Sequence, residues 1–267
     1  MKGLVYKSTG SWYSVSSETG DMYNCKIKGK LRLKNINSTS PVVVGDFVEF
    51  VVEEHDLQEI GIIQKIYDRR NYILRKSVNL SKQTHILASN IDLLLLVITI
   101  KNPITTTSFI DRFLVSAEAY SVKTILVFNK CDIYDKNDEI LLNLFINTYE
   151  SIGYDTIKTS TFSQIGVKEL KKKISGKTIM LGGHSGVGKT SLINSIDTSL
   201  KLKVGNISNQ HFQGKHTTTY AELHDLNNGS KLIDTPGIKG FGLVDFNREE
   251  IKDFFPEFVK LKSKCKF

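Results

Sequence analysis

The first part of the chain alternates short apolar runs with polar breaks. The clearest runs are residues 42–44, 47–52 and 61–63, and they are interrupted at Gly45-Asp46 and at His55-Asp56. Short runs rich in valine and isoleucine and bounded by turn residues are typical of β-strands. About five such strands within residues 1–72 predict a small all-β barrel.

One segment of this region alternates basic and apolar residues. Its basic positions are Lys26, Lys28, Lys30, Arg32 and Lys34. In a strand, a period of two places all of these side chains on one face and the residues between them on the other. Two interpretations stay open: a solvated outer face, or the phosphate-contacting surface of a nucleic-acid-binding barrel of the OB-fold type.

From about residue 85 the pattern changes to alternating strands and helices. Apolar runs predict buried strands over 91–100, 124–128, 157–159 and 178–181. Helical spacing predicts a helix marked by Ile110, Phe113, Leu114 and Ala117, a second marked by Ile140, Leu141, Leu144, Phe145 and Thr148, and a third over 167–174. Alternation of this kind predicts a mostly parallel, doubly wound α/β sheet. The residues from about Phe246 onward are rich in lysine and helical in tendency.

A phosphate-binding motif follows the last of these predicted strands. The sequence Gly183, His184, Ser185, Gly186, Val187, Gly188, Lys189 and Thr190 matches GxxxxGK[ST], and a helical run begins at Ser191. The glycines allow backbone N–H groups to turn inward around a phosphate chain, and the start of the helix adds its dipole. We expect Lys189 to neutralise the β- and γ-phosphates and the Thr190 hydroxyl to bind Mg²⁺. We expect His184 to fill the loop rather than to act in catalysis.

A second motif, Asn129-Lys130-Cys131-Asp132, follows the predicted strand 124–128. Taken alone, it is equally compatible with a polar turn. Beside a phosphate loop, it resembles the guanine-binding NKxD motif of GTPases. Asp132 can accept hydrogen bonds from the ring N–H and the amino group of guanine, whereas adenine would leave the carboxylate unpaired. Lys130 can lay its methylene stem along the base, and Ser160 stands where a base-supporting loop is expected.

A third motif, Asp234-Thr235-Pro236-Gly237, resembles the γ-phosphate-sensing DxxG motif. We expect Asp234 to hold Mg²⁺ through water and the Gly237 N–H to contact the γ-phosphate. Among the threonines at 217–219, Thr218 is our first choice for completing the Mg²⁺ shell from a mobile switch loop.

The residue after Gly237 is Ile238, where many GTPases have a glutamine that orients water. Isoleucine cannot orient water, so we expect slow intrinsic hydrolysis unless another group takes that role. His216 is the candidate, because an imidazole on the switch loop can hydrogen-bond to water. The alternative is that His216 packs or faces solvent.

The order of the motifs is rotated, because NKxD and Ser160 precede the phosphate loop, and DxxG follows it. This arrangement predicts a circularly permuted GTPase. It resembles the small-ribosomal-subunit-dependent GTPases of the RsgA (YjeQ) family. The resemblance also includes Ser8-Thr9-Gly10, Trp12-Tyr13, Val44-Gly45-Asp46, Arg75-Lys76-Ser77, Ala88-Ser89-Asn90-Ile91-Asp92, Phe109-Ile110-Asp111-Arg112 and Phe255-Pro256-Glu257-Phe258.

The resemblance implies three units: an OB-fold RNA-binding domain over 1–72, a permuted P-loop GTPase domain over 73–245, and the start of a zinc-binding domain over 246–267. It also implies GTP or GDP, Mg²⁺, the small ribosomal subunit and its rRNA as partners, and GTP hydrolysis that the subunit stimulates during its late maturation. Cys265 matches the first zinc ligand of the family. Because zinc needs about four ligands, we expect a site only if the chain extends beyond Phe267. Either the helical C-terminal segment is truncated here, or this version lacks a zinc site.

An alternative function is a GTP-gated RNA-binding module that hardly hydrolyses GTP, and the isoleucine at position 238 motivates it.

The composition of the chain is consistent with this interpretation. The 267 residues carry 36 basic and 28 acidic side chains, a net charge of +8, which suits a polyanionic partner. The three cysteines, Cys25, Cys131 and Cys265, lie too far apart for a disulfide framework. The longest apolar stretch, 93–98, is far shorter than the ~20 residues of a membrane span. We therefore expect a cytoplasmic monomer with no membrane partner.

Overall fold

The computed structural model describes residues 1–28, 41–55, 58–76, 84–200, 221–234, 246–247, 249–262 and 264. A β-barrel comes first along the chain, and an α/β sheet with packed helices follows it. The predicted succession of a small all-β unit and an α/β unit is confirmed.

The barrel consists of β1 (Lys2–Ser8), β2 (Tyr13–Ser17), β3 (Met22–Ile27), β4 (Phe47–His55) and β5 (Gln58–Ile66). The strands are hydrogen-bonded in the order β1-β2-β3-β5-β4, and β4 pairs back onto β1, which closes the barrel. The neighbouring strands are antiparallel except β3 and β5. Since side chains alternate across a strand, Val5, Val15 and Phe50 point inward and are fully buried. This closed five-strand arrangement is of the OB type.

The prediction of a strand over 42–44 is wrong. These valines lie in a loop before β4, but all of them are buried. Val42 packs in the barrel core, whereas Val43 and Val44 pack with residues of the α/β unit. The apolar run therefore reflects burial where the two units meet, which hydrophobic pattern alone does not distinguish from a buried strand.

Only the first basic residue of the predicted basic strand, Lys26, lies in a strand, because β3 ends at Ile27. Lys26 and Lys28 are exposed, and Ile27 between them is half-buried. Residues 29–34, which complete the run, lie outside the described residues.

The α/β unit contains β6 (Tyr72–Lys76), β7 (Thr84–Ser89), β8 (Leu93–Ile98), β9 (Thr124–Phe128), β10 (Asp155–Lys158), β11 (Thr178–Gly182), β12 (Glu222–Asp225) and β13 (Lys231–Asp234). Its helices are α1 (Thr107–Ala119), α2 (Lys136–Ser151), α3 (Val167–Ile174), α4 (Lys189–Ile196) and α5 (Pro256–Lys262). Strands β6 and β7 form a separate hairpin. The main sheet has the order β10-β9-β8-β11-β13-β12 and is parallel except for β12, which runs antiparallel to β13.

Strand β8 is central, and every one of its residues is buried. Leu94, Leu96 and Ile98 belong to the core that includes α1 and α2 residues. Leu93, Leu95 and Val97 belong to the core that includes α3 and α4 residues. A strand buried on both faces reads as a continuous apolar run, which is why the sequence pattern identified it.

The predicted helices are present, but most of the apolar stripe predicted for α2 is exposed, and of its residues Phe145 is half-buried against the core. Ile140 and Leu144 are 69% and 59% exposed, whereas the buried α2 residues are Leu142 and Tyr149. The helix begins in a capping box, in which the Asp135 side chain accepts the first backbone N–H groups. Leucine and isoleucine occupy both sides of this helix, so spacing alone could not select the side that packs against the sheet.

A buried polar network around Asp46 joins the barrel to β7 of the α/β unit through Ser89. Asp46, fully buried just before β4, accepts hydrogen bonds from Arg69 Nε and Nη2, each at 2.6 Å. It also accepts from the Ser89 hydroxyl at 2.6 Å and from the Val43 N–H at 2.9 Å. Because every oxygen of this carboxylate is hydrogen-bonded, the cost of burying its charge is offset.

A second, more exposed contact links the barrel to the hairpin of β12 and β13. Lys7 of β1 pairs with Glu222 of β12 in the sheet, and their side chains form an ion pair at 3.1 Å. Nearby, the Tyr6 hydroxyl donates to Asp225 and accepts from Lys231 Nζ at 2.5 Å. The barrel thus extends the α/β sheet at its β12 edge.

Among the helices within the described ranges, none has both the length and the apolar character that crossing a bilayer requires.

We predict that replacing Asp46 with alanine strongly destabilises the protein, because the Arg69 guanidinium would remain buried without its partner. The expected loss in the free energy of unfolding is about 3–5 kcal/mol, measured by urea denaturation. The matched control is Asp155→Ala, which removes the exposed ion pair with Lys123 and should cost less than about 1 kcal/mol. Equal losses from the two variants would show that the Asp46 network does not hold the units together.

Candidate functional site

The phosphate-loop motif lies between the end of β11 and the start of α4, where its sequence context predicted it. Gly183 and Gly188 have φ values of +131° and +94°, which glycine adopts far more readily than other residues. A Cβ atom on Gly183 would lie 2.2 Å from the Val97 carbonyl oxygen, and one on Gly188 would lie 2.5 Å from Asn129 Nδ2. The loop therefore has the close backbone packing that a phosphate cradle requires.

Lys189 folds back over this loop. Its ammonium donates to the carbonyl oxygens of Gly183 and His184 at 2.8 and 2.6 Å. Thr190 is buried in the first turn of α4, and Ser191 beside it is half-buried. Ser185 and Gly186, at the tip of the loop, are exposed, while Val187 is buried. The predicted phosphate-binding residues therefore form one continuous turn around a helix N-terminus.

The His184 side chain leaves the loop and stacks on Phe109 of α1, with the ring centroids 3.7 Å apart. Burial lowers the pKa of His184, and the charges of Lys189 and Arg112 lower it further. The structure therefore places this ring against α1.

Asn129, directly after β9, connects the second motif to the phosphate loop. Its side chain is buried, its Nδ2 donates to the Val187 carbonyl oxygen at 2.8 Å, and its Oδ1 accepts from the Thr159 hydroxyl at 3.0 Å. The Asn129 carbonyl oxygen accepts from the Tyr134 hydroxyl at 2.6 Å. One amide thus ties together the loops that follow β9, β10 and β11.

Asp132 and Ser160 lie together, as their sequence assignments require. The Ser160 hydroxyl donates to Asp132 Oδ1 at 2.5 Å, and it accepts from the N–H groups of Phe162 and Ser163. The Cys131 N–H donates to the Thr159 carbonyl oxygen at 3.1 Å. These bonds fix the orientation of the Asp132 carboxylate from the neighbouring loop.

Lys130 adopts a left-handed conformation, with φ at +63°. Its ammonium donates to the Asn102 carbonyl oxygen at 2.6 Å, in the loop between β8 and α1. A Cβ atom on Gly188 would lie 3.9 Å from Lys130 Cε. The end of the Lys130 side chain therefore lies beside the phosphate loop.

Asp234 ends β13, the strand next to β11 in the sheet. Burial raises the pKa of its carboxyl group; the charge of His224 opposes this, and that of Glu222 adds to it. Parallel strands end at the same edge of a sheet, so Asp234 and Thr190 belong to one end of the α/β unit. His216, Thr218 and Gly237 lie outside the described residues, as does Cys265.

Several site residues were not predicted from the sequence. Thr159 and Tyr134 hold Asn129, Asn102 holds Lys130, and Phe109 supports His184. The sequence did not indicate these contacts, because three of them join segments that are distant along the chain. Tyr134 lies only five residues from Asn129, but a tyrosine in a turn has no distinctive pattern.

The donor types at this site fit a nucleotide and a magnesium ion. Magnesium prefers oxygen ligands, which the Thr190 hydroxyl and the Asp234 carboxylate provide. Within the part of the chain that the structure describes, no three His, Cys, Asp or Glu residues come together as a metal-binding group. In the same part, Cys25 is buried, Cys131 is partly buried, and both are free thiols.

Two family models match the chain. The one described as the RsgA N-terminal domain matches residues 2–63, and the one described as RsgA GTPase matches residues 66–244. Among curated relatives, the small ribosomal subunit biogenesis GTPase RsgA of Christiangramia forsetii is 55% identical over 267 residues. That match covers all of this chain and 85% of the relative. The protein of the same name from Flavobacterium psychrophilum is 55% identical over 269 residues, covering all of this chain and 82% of the relative.

Solved structures agree in fold. YjeQ from Thermotoga maritima is similar with a TM-score of 0.74 and 33% identity, over 96% of this chain and 82% of that one. YloQ, described as a circularly permuted GTPase, is similar with a TM-score of 0.71 and 27% identity, over 100% of this chain and 81% of that one. The predicted circular permutation is confirmed, and the chain belongs to the RsgA family of GTPases.

Proposed function

We propose that this chain binds the small ribosomal subunit, assists its late maturation, and hydrolyses GTP to GDP and phosphate at a rate that the subunit raises. The observation that carries the proposal is the Asn129 amide, which joins the guanine-binding motif to the phosphate loop in one site. The relatives of 55% identity are named small ribosomal subunit biogenesis GTPases, which supports the choice of partner.

In this proposal the loops after β9 and β10 select guanine. The Asp132 carboxylate, oriented by Ser160, accepts from the ring N–H and the amino group of the base. Lys130 covers one face of the base with its methylene stem. An adenine base would leave the carboxylate without donors in a partly enclosed site, so ATP binds poorly.

The phosphates are held by backbone N–H groups of residues 183–191 and by the Lys189 ammonium. Thr190, Thr218 and Asp234 hold Mg²⁺, the first two through their hydroxyl groups and Asp234 through water. Bound Mg²⁺ supplies charge neutralisation between the β- and γ-phosphates. The Gly237 N–H contacts the γ-phosphate, so the segment after β13 distinguishes GTP from GDP.

His216 orients the attacking water in this proposal, since Ile238 cannot. The basic residues from Lys26 to Lys34 contact ribosomal RNA from the barrel. Support comes from exposed Lys26, whose ammonium lies 4.2 Å from the ring centroid of the partly exposed Trp12. A cation beside an aromatic ring suits both phosphate and base contacts.

The proposed function also implies a domain organisation, an oligomeric state and a cellular compartment. We assign residues 1–72 to RNA binding, 73–245 to the GTPase domain and 246–267 to a C-terminal unit. The chain acts as a monomer in the cytoplasm. Cys265 takes part in zinc binding only where further ligands follow Phe267.

A second candidate function is a GTP-gated RNA-binding module with little hydrolysis. Ile238, at a position where many GTPases have glutamine, favours it. The two candidates differ in whether bound GTP is consumed, so hydrolysis measurements separate them.

We predict that purified small ribosomal subunits raise the single-turnover rate of GTP hydrolysis at least about tenfold, because partner contacts order the catalytic groups. Large subunits at the same concentration are the control for unspecific RNA effects. An unchanged rate with small subunits would contradict the proposal.

The variant His216→Ala then separates the two candidates in the same assay. If His216 orients water, the subunit-stimulated rate falls on the order of 100-fold while GTP affinity is retained. If the chain is a GTP-gated module, neither protein hydrolyses GTP appreciably, and RNA affinity differs between the GTP and GDP forms.

We also predict that Asp132→Asn changes the base preference of the site from guanine to xanthine. The asparagine amide offers one acceptor and one donor, which matches xanthine, whereas guanine presents two donors. GTP affinity should fall at least about 100-fold, since charge-assisted hydrogen bonds to the base are lost, and xanthosine triphosphate should bind better than GTP. The control Glu139→Gln removes an exposed charge from α2 and should leave the preference for GTP intact. Retained GTP preference in Asp132→Asn would contradict the assignment of this residue.

A further inference from the structure

Helix α1 carries two phenylalanine rings on the side that meets the phosphate loop. Phe109 and Phe113 are one helical turn apart, and their ring centroids are 4.9 Å apart at 47°. Phe113 is buried and Phe109 is half-buried. Both rings belong to the core between α1, α2 and the sheet.

Each ring contacts a different residue at the start of the phosphate loop. A Cβ atom on Gly182 would lie 2.7 Å from Phe113 Cε1, so the Phe113 ring occupies the space beside the last residue of β11. The Phe109 ring stacks on the His184 imidazole at 3.7 Å with an interplanar angle of 29°. The two rings therefore contact the residues that precede and follow Gly183 in sequence. Gly183 itself packs closely against the Val97 carbonyl oxygen.

The stack matters because His184 carries one of the carbonyl oxygens that hold Lys189. The Lys189 ammonium is bonded to the carbonyl oxygens of Gly183 and His184. At the far side of the loop, the Val187 carbonyl is fixed by Asn129. Between these anchors lie the exposed residues Ser185 and Gly186. The Phe109–His184 stack is therefore the anchor on the β11 side of the loop tip.

The charge state of His184 is compatible with this stacking. Burial lowers the pKa of its imidazole, and the Lys189 and Arg112 charges act in the same direction. A neutral imidazole packs on a phenylalanine face at little desolvation cost. It also adds no positive charge beside Lys189, which leaves that lysine as the cation of the loop.

We propose that Phe109 is a positioning residue for nucleotide binding and hydrolysis. Its ring, through His184, holds the Gly183–His184 segment so that the loop N–H groups and Lys189 stand ready for the β-phosphate. Preorganised donors bind more tightly because less ordering is needed when the ligand arrives. The proposal rests on the nucleotide site proposed above, including base recognition by Asp132, and does not depend on the ribosomal partner.

The test compares Phe109→Leu with Phe145→Leu in the full chain. Phe145, on α2, is also half-buried and makes an aromatic contact, with Tyr149, but it is not at the loop. Affinities for GDP and IDP are measured by calorimetry, together with the single-turnover GTP rate and the melting temperature. In Phe109→Leu, GDP affinity should fall about three- to tenfold, the size expected for losing one aromatic pair.

The ratio of GDP to IDP affinity should stay unchanged in Phe109→Leu. Inosine lacks the amino group that Asp132 reads, so a constant ratio locates the loss in the phosphate loop rather than in the base loop. Phe109→Tyr, which keeps the ring, should restore the affinity. Phe145→Leu should leave GDP affinity at the wild-type value even where its melting temperature falls.

His184→Leu examines the same stack from the other side. It should lower GDP affinity as Phe109→Leu does, and the double variant should be no weaker than either single one, because one interaction is being removed. The proposal is overturned if Phe109→Leu binds GDP as the wild type does, or if its GDP to IDP ratio falls as well. It is also overturned if the losses of GDP affinity, expressed as binding free energies, of Phe109→Leu and His184→Leu add in full in the double variant. Should Phe109→Leu fail to fold, His184→Leu and Phe109→Tyr supply the comparison.

Discussion

The buried amide of Asn129 is the interaction on which the nucleotide site depends. Its donor holds the phosphate loop at Val187, and its acceptor holds the base loop at Thr159. The motifs concerned lie more than 50 residues apart, since Asn129 and Val187 are separated by 58 positions. Because the circular permutation leaves the sheet order intact, strands β9, β10 and β11 still end at one edge and the amide can bridge their loops. Permutation changes which residues are joined along the chain but not which ones meet in space.

The barrel is attached to the GTPase unit at two places of different character. Asp46 and Arg69 form a buried anchor with Ser89, at the start of the α/β unit. A second contact, between β1 and the hairpin of β12 and β13, consists of exposed polar groups. Removing one partner of this anchor costs far more than breaking one of the exposed pairs, because it leaves a buried charge without its partner. The hairpin lies between the segments expected to respond to the γ-phosphate.

Sequence reasoning succeeded where a motif follows a buried strand, and failed where a contact depends on tertiary packing. The phosphate loop, Asp132 with Ser160, and the permuted order were all predictable, because strand ends in a parallel sheet share an edge. The buried role of Asp46, the inner face of α2 and the stack of Phe109 on His184 were not. Each depends on which side of an element meets its neighbour, and local pattern does not specify that when apolar residues lie on both sides. The roles of the site residues in binding and hydrolysis remain predictions, and residues 216, 218, 237 and 265 lie outside the described part of the chain.

The most direct test of this account is calorimetric titration of Asn129→Ala with GDP, beside the exposed-amide control Asn143→Ala. The alanine would leave the Val187 carbonyl and the Thr159 hydroxyl without their partner, and it would separate the two loops. We expect GDP affinity to fall at least about 30-fold, because the base loop and the phosphate loop would have to be ordered together when the nucleotide binds, while Asn143→Ala binds as the wild type does. A cooperatively folded Asn129→Ala protein with GDP affinity within about threefold of the wild type would contradict the claim that this amide unites the site.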